Sequence, residues 1–261
     1  MKAARCFLTL CCLGLSAIAC SPATSCGAAQ GPDTCQRILF IGNSYTYVND
    51  LPGMFAKLAD AGGHPAEVES AAQGGWSLSD HVNSPETLDK IKASKWNFVV
   101  LQEQSQIPAF ELSRTQGMYP AARLLVREIE QTGARPVFFM AWAHRDGWPE
   151  NGLKNYEDMQ FQIDSGYLGI ARELNSPVAP VGFAWLTARR QNPGLNLWQD
   201  DGIHPSEEGT YLAACVFYAV IYRASPEGLT YLAGLPKEIA QPLQRIAADT
   251  VLNNPKQWNL P

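Results

Sequence analysis

The feature that most constrains this chain is a regular alternation of short apolar runs with longer segments of helical spacing. Residues 37–41, 96–101, 136–140 and 178–181 are continuous apolar stretches of strand length, closed by Gly, Asn, Gln or Pro. Residues 67–70 form a weaker strand candidate. Between them, residues 51–61 carry Leu51, Phe55, Leu58 and Ala59 at helical spacing and stop at Gly62-Gly63. Residues 79–94, 119–131, 156–174 and 183–190 also read as helices, and 206–222 is apolar almost all round, the pattern of a well-buried helix. Strictly alternating strands and helices, joined by right-handed crossovers, give a parallel sheet covered on both faces. The expectation is a three-layer α/β/α sandwich of about five parallel strands. Ligands of such sheets bind beyond the carboxyl ends of the strands. The chemistry should therefore stand just after Ile41, Ser70, Leu101, Met140 and Val181.

The first twenty residues follow a different rule. Lys2 and Arg5 precede an apolar run from Cys6 to Cys20, the layout of a secretory signal, and the run is too short for a membrane span. It closes with Ala17-Ile18-Ala19-Cys20, which fits two readings. Ala17 and Ala19 make the small-x-small pattern of ordinary cleavage. The same residues resemble a bacterial lipobox, with Ala17 where Leu is usual, and Cys20 would then carry lipid and tether the domain to a membrane. We take the lipoprotein reading, and with it an exported, periplasmic or cell-surface location. Residues 1–19 are then a signal peptide, 20–36 a Ser-, Pro-, Ala- and Gly-rich tether, and 37–261 the α/β domain. Four of the seven cysteines lie outside the signal: Cys20, Cys26, Cys35 and Cys215. With Cys20 lipidated, Cys26 and Cys35 are the natural disulfide pair in an oxidising compartment. Cys215, inside the apolar helix, reads as inert core.

Charge excludes one class of partner. The chain carries a formal net charge of −5, which becomes −7 once Lys2 and Arg5 leave with the signal. A nucleic-acid binder that relies on overall charge is not expected. No Cys/His spacing suggests zinc, and no metal or other cofactor is expected.

Four predicted loops carry reactive groups, three of them after predicted strands and the fourth near the carboxyl end of the domain. They are Gly42-Asn43-Ser44-Tyr45-Thr46, Gln73-Gly74-Gly75-Trp76-Ser77, Gln102-Glu103-Gln104-Ser105, and Asp200-Asp201-Gly202-Ile203-His204-Pro205-Ser206. A serine hydroxyl needs a base to become a nucleophile, and histidine suits the task near neutral pH. A carboxylate on the other ring nitrogen fixes the tautomer and stabilises the imidazolium. Asp201 and His204, three apart, can meet by local backbone geometry; Asp200 is the rival acid. Ser44 and Gly75 offer backbone N–H groups, and an amide after the third strand a side-chain N–H, to an oxyanion. Trp76 and Trp142, at strand ends, are candidates to stack on a sugar ring, and His144 and Arg145 are candidates to line a substrate pocket. Read blandly, Ser44 is a helix cap, Gly74-Gly75 a turn, and His144 a rim residue without a role.

The order of these blocks resembles that of the SGNH (GDSL-type) hydrolases. Phe40-Ile41-Gly42-Asn43-Ser44-Tyr45-Thr46 is similar to their first block, Gly74-Gly75-Trp76 to their glycine block, and Asp201-Gly202-Ile203-His204-Pro205-Ser206 to their last. The resemblance spans residues 37 to about 222. It implies a flavodoxin-like fold, a Ser44–His204–Asp201 acyl-enzyme mechanism without a metal, and an ester, thioester or carbohydrate O-acyl substrate. The third block departs from the family pattern. Where Gly-x-Asn-Asp is usual, this chain has Gln102-Glu103-Gln104-Ser105, so Gln104 falls at the asparagine position, with Gln102 as its rival. The leading expectation is a serine esterase acting on an acylated small molecule or polysaccharide. A lipase or lysophospholipase, and a non-catalytic carbohydrate- or surface-binding lipoprotein, are the alternatives.

Overall fold

The computed structural model describes Cys26 and residues 35–260; the signal peptide, Cys20 and most of the tether lie outside the described residues. Five strands make one parallel sheet: β1 (Gln36–Gly42), β2 (Ala66–Ala72), β3 (Phe98–Leu101), β4 (Arg135–Phe139) and β5 (Val178–Ala179), in the order β2-β1-β3-β4-β5. This is the flavodoxin-like order. In register, Ile41 stands beside Leu101, and Gly42 beside Ala72. β3 is wholly buried, as is β1 from Ile38 on, while β2 at the edge is half-exposed, which is why its sequence signal was weak. β5 is cut to two residues because Pro180 follows and cannot donate to a ladder.

The helices are α1 (Ser44–Tyr47), α2 (Leu51–Ala61), α3 (Leu78–Val82), α4 (Pro85–Ala93), α5 (Glu111–Ser113), α6 (Tyr119–Gln131), α7 (Tyr156–Glu173), α8 (Val181–Gln191), α9 (Glu207–Tyr222) and α10 (Lys237–Leu252). The polar helix expected over 79–94 is two helices, because Ser84-Pro85 caps and restarts the chain. A π-helical turn, Arg114–Met118, joins α5 to α6. α9 is buried on nearly every side, packed against α2, α8 and α10. α10 escaped the sequence reading: Pro242 lies inside it and the preceding loop carries no clear start signal beyond Pro236.

Cys26 and Cys35 are joined by a disulfide, Cα atoms 5.5 Å apart, at the entry to β1. Cys215 is a free, fully buried thiol whose pKa burial pushes far up, so it is inert at neutral pH.

Candidate active site

The strand order reverses between β1 and β3, and the carboxyl ends of these two strands open a crevice at that point. β1 ends at Gly42. Asn43 then caps α1, its Oδ1 accepting from Tyr45 N–H at 3.1 Å, and Ser44 is the first helical residue. The Ser44 and Gly75 N–H groups have no acceptor among the described residues. Both line a cleft of about 380 Å3 together with Gln104, His144 and His204. Gly75 sits at φ +76°, a conformation that a side chain would strain.

The His204 loop is fixed on three sides. Trp142 Nε1 donates to Ile203 O at 3.0 Å, Arg145 N to Gly202 O at 2.8 Å, and Asn49 Nδ2 to Pro205 O at 3.0 Å. Held this way, His204 Nε2 lies 2.9 Å from Ser44 Oγ, and Nδ1 lies 2.6 Å from Asp201 Oδ2. A carboxylate only accepts, so Nδ1 carries the ring proton and Nε2 is free to take one from Ser44. The other Asp201 oxygen accepts from the N–H groups of Ile203 (2.8 Å) and His204 (2.9 Å). Burial alone would raise the Asp201 pKa. The hydrogen bonds from the His204 ring and these two N–H groups outweigh it and hold the carboxyl below its ordinary value. Asp200 is exposed and makes no hydrogen bond to His204.

The two glutamines of the third block do different work. Gln102 is fully buried and satisfied at both ends of its amide. Its Oε1 accepts from Asn43 N–H and Thr46 Oγ1, both at 2.9 Å, and its Nε2 donates to Asn43 Oδ1 at 3.0 Å. It crosses the end of β1 so closely that a Cβ on Gly42 would stand 2.4 Å from Gln102 Oε1. Gln104 instead lines the cleft. Its Oε1 caps Gln106 N–H at 2.9 Å, which leaves its amide nitrogen with a 3.5 Å contact to Ser105 Oγ.

Asn43, His81 and Glu103 brace the serine turn and the third block from below. Asn43 donates from Nδ2 to Trp76 O at 2.8 Å and so ties the serine turn to the glycine loop. His81, taken for a polar-helix residue, is buried beneath the serine turn, with Nε2 2.8 Å from Gly42 O and Nδ1 2.9 Å from Thr87 Oγ1. A carbonyl only accepts, so Nε2 carries the proton; burial keeps the ring pKa low and the ring neutral. Glu103 is also fully buried, Oε1 accepting from Leu78 N–H (3.1 Å) and Gln104 N–H (2.6 Å). A polar residue just after an apolar strand was the only available signal for Glu103, and His81, inside a short helix, carried none.

Of the substrate-contact candidates, Trp142 must be withdrawn. It is 0% exposed, its ring stacked between Tyr45 (4.4 Å) and Trp185 (4.2 Å), so no sugar reaches it. Its strand-end position suggested exposure, but the chain folds back over the indole. Trp76 is half-exposed and lies edge-on to His81. Arg145 pairs with Asp146 and lies against Gly202, beside the His204 loop. His144 reaches the cleft, with Nε2 3.4 Å from Ser105 Oγ, and burial lowers its pKa.

Comparison with known proteins places this geometry. No family model and no curated protein matches the sequence. Among solved structures, a protein from Slackia heliotrinireducens described as an SGNH hydrolase superimposes with a TM-score of 0.61 at 30% identity, covering 70% of this chain and 97% of its own. The chain belongs to the SGNH hydrolases. A DUF4886 family protein from Bacteroides uniformis matches at TM-score 0.70 and 19% identity, over 84% of this chain and 95% of that one. The acetyl xylan esterase AlAXEase matches at 0.59 and 12%, over 71% and 99%. These two likenesses show the fold. The SGNH assignment accounts for the order of the blocks around the crevice, with the serine after β1 and the histidine ahead of α9.

Proposed function

We propose that this SGNH hydrolase is a serine esterase that removes O-acyl groups from carbohydrate, exported to the periplasm or cell surface and tethered through Cys20. The observation that carries the esterase reading is the unbroken relay Ser44 Oγ–His204–Asp201, at 2.9 and 2.6 Å, beside two unpartnered backbone N–H groups.

In this reading His204 Nε2 takes the Ser44 proton as Oγ attacks the ester carbonyl. Negative charge gathers on the carbonyl oxygen, where the N–H groups of Ser44 and Gly75 and the Gln104 amide receive it. His204 then gives the proton to the leaving alkoxide, and the acyl group stays on Ser44. Water then attacks the acyl carbon while His204 Nε2 takes one of its protons; the acyl–Oγ bond breaks, His204 returns that proton to Ser44 Oγ, and the carboxylic acid leaves. Asp201 balances the charge on the imidazolium at both stages. Fixed donors act before any charge appears, so no reorganisation is needed in the transition state.

The carbohydrate reading rests on the export-type N-terminus and on an open cleft whose lining holds no Asp, Glu, Lys or Arg. Neighbours described as an acetyl xylan esterase and an acetyl-xylooligosaccharide esterase share the fold at 12% and 17% identity. The test is hydrolysis of 4-nitrophenyl acetate, butyrate and palmitate and of acetylated oligosaccharides, with a serine-directed phosphonate. Turnover of the short and sugar esters that the phosphonate abolishes, with label on Ser44 and none on Ser44→Ala, supports the reading. Preference for palmitate would favour a lipase. A pure protein that turns over none of these esters and leaves the phosphonate unreacted would overturn it.

A further inference from the structure

The cleft over Ser44 does not end at Gln104. A second cleft of about 320 Å3 adjoins it, and both are lined by Gln104 and Gln106, which form the sill between them. Beyond the sill stand Phe110, Ser113, Trp148 and Asn151.

Trp148 is the floor of this extension. Its ring is half-exposed and is braced edge-on by Phe110 at 5.8 Å, with His144 of the catalytic cleft behind it at 6.2 Å. Its backbone is locked by a reciprocal pair with Leu153, Trp148 N–H to Leu153 O at 2.6 Å and the return bond at 3.1 Å, around the turn Pro149–Asn151. The ring is therefore held before any ligand arrives, which lowers the ordering cost of binding. Among the described residues, its indole N–H has no acceptor, and the side chains of Gln106, Ser113 and Asn151 around it have no protein partner. The extension thus offers a fixed aromatic face ringed by neutral donors and acceptors.

That chemistry selects among ligands. No Lys or Arg lines the extension, so nothing in it would neutralise a phosphate headgroup. A long acyl chain would want an enclosed apolar slot, whereas here three amides and a hydroxyl surround the ring. A neutral pyranose, with an apolar C–H face and hydroxyls at its rim, matches an aromatic platform edged by amides. We propose that the Trp148 cleft is a subsite for a sugar ring of the alcohol part of the substrate, reached across Gln104 and Gln106 from the ester at Ser44. The proposal deepens the carbohydrate-esterase reading and rests on it. It also moves the aromatic contact from Trp142, which is core, to Trp148.

Two readouts separate the subsite from the reading it rests on. The first compares kcat/KM for acetylated xylotriose, cellotriose and mannotriose with kcat/KM for vinyl acetate, whose leaving group is too small to cross the sill. In Trp148→Ala the trisaccharide-to-vinyl ratio should fall at least tenfold, mainly through KM, and Trp148→Phe should recover part of it. Gln106→Ala, a smaller truncation at the sill, should lower the ratio about threefold and guards against a Trp148 variant that fails to fold. The second readout is calorimetric binding of the unacetylated trisaccharides to the full chain. Binding by the wild type that is lost in Trp148→Ala supports the subsite even in a protein that hydrolyses no ester, where only the esterase reading would fail. A ratio unchanged in all three variants, or the absence of wild-type binding to every trisaccharide, overturns the subsite while leaving Ser44 chemistry on vinyl acetate standing.

Discussion

Glu103 makes the most quantitative prediction. It joins two parts of the site, taking the N–H of Leu78 at the start of α3 and of Gln104 in the third block on one oxygen, while its other oxygen is buried with no partner. Burial raises its pKa from 4.5 to about 7, against the lowering effect of those two bonds. The unfolded chain releases this proton near the ordinary value, whereas the folded protein keeps it until about 7. Between these limits the folded state binds more protons than the unfolded state, so stability falls as pH rises, and above 7 the whole loss is present. At 1.36 kcal/mol per pH unit the interval corresponds to roughly 3 kcal/mol. Glu103→Gln keeps the accepting oxygen and cannot ionise. An amide donor left without an acceptor costs about 1–3 kcal/mol, but equally at every pH. The assay is urea unfolding followed by tryptophan fluorescence from pH 4.5 to 8, read as the difference between variant and wild type. Asp164, also raised to about 7 by burial, titrates in both proteins and cancels from that difference. The variant should gain roughly 3 kcal/mol relative to wild type across the range. Parallel pH profiles would refute the argument, because they would mean Glu103 ionises normally inside the fold.

Other outcomes follow from the relay and its supports. Ser44→Ala and His204→Ala should each lower kcat by about 10⁴-fold or more, with the double variant little worse, since the groups act as a unit; additive losses in steady-state kinetics would contradict the relay. Asp201→Asn should be nearly as damaging while Asp200→Asn stays close to wild type, the His204 ring being bonded to Asp201 alone of the two. Gln104→Ala should lower kcat by about 10²–10³ at nearly constant KM, whereas Gln102→Ala should act first on stability, by about 1–3 kcal/mol for each group stranded at Asn43 and Thr46; denaturant midpoints measured beside kcat distinguish the two. Radiolabelled fatty acid should enter the wild-type protein in cells and not Cys20→Ser; an unlabelled wild type would leave simple secretion.

The parts of this molecule legible in the sequence are those where one physical rule acts alone. A run such as Phe98–Leu101 is buried on both faces and reads as a strand without further context. Asp201 and His204 meet through a short loop, so their spacing already predicted their contact. The parts that were not legible depend on partners distant in sequence. Gln102 follows a strand and so resembled a loop donor, and Glu103 beside it a loop residue; they are buried because Asn43, Thr46 and Leu78 arrive to satisfy them. Trp142 and Trp148 both follow β4 and look alike as letters. Trp142 is covered by Tyr45 and Trp185, while Trp148 keeps an open face, and nothing local distinguishes the two fates.

The departure in the third block resolves once its two amides are separated. A buried amide beside the serine turn must satisfy four hydrogen-bonding positions or lose stability. Gln102 does so by reaching back across β1, and this is possible only because residue 42 is glycine. Thus Gly42, Asn43 and Gln102 form one constraint that fixes where Ser44 stands, though Gln102 is far from the other two in the chain. Gln104, relieved of that duty, needs only to present a donor to the cleft, and its longer side chain folds back to cap Gln106. The same fold-back places Gln104 on the sill toward Trp148. Substituting the shorter Asn at 104 should then shift that cap and the sill together. Gln104→Asn is expected to lower kcat less than Gln104→Ala yet to change the trisaccharide-to-vinyl ratio as well. A variant that altered kcat alone would show that the sill is set by Gln106 and not by Gln104.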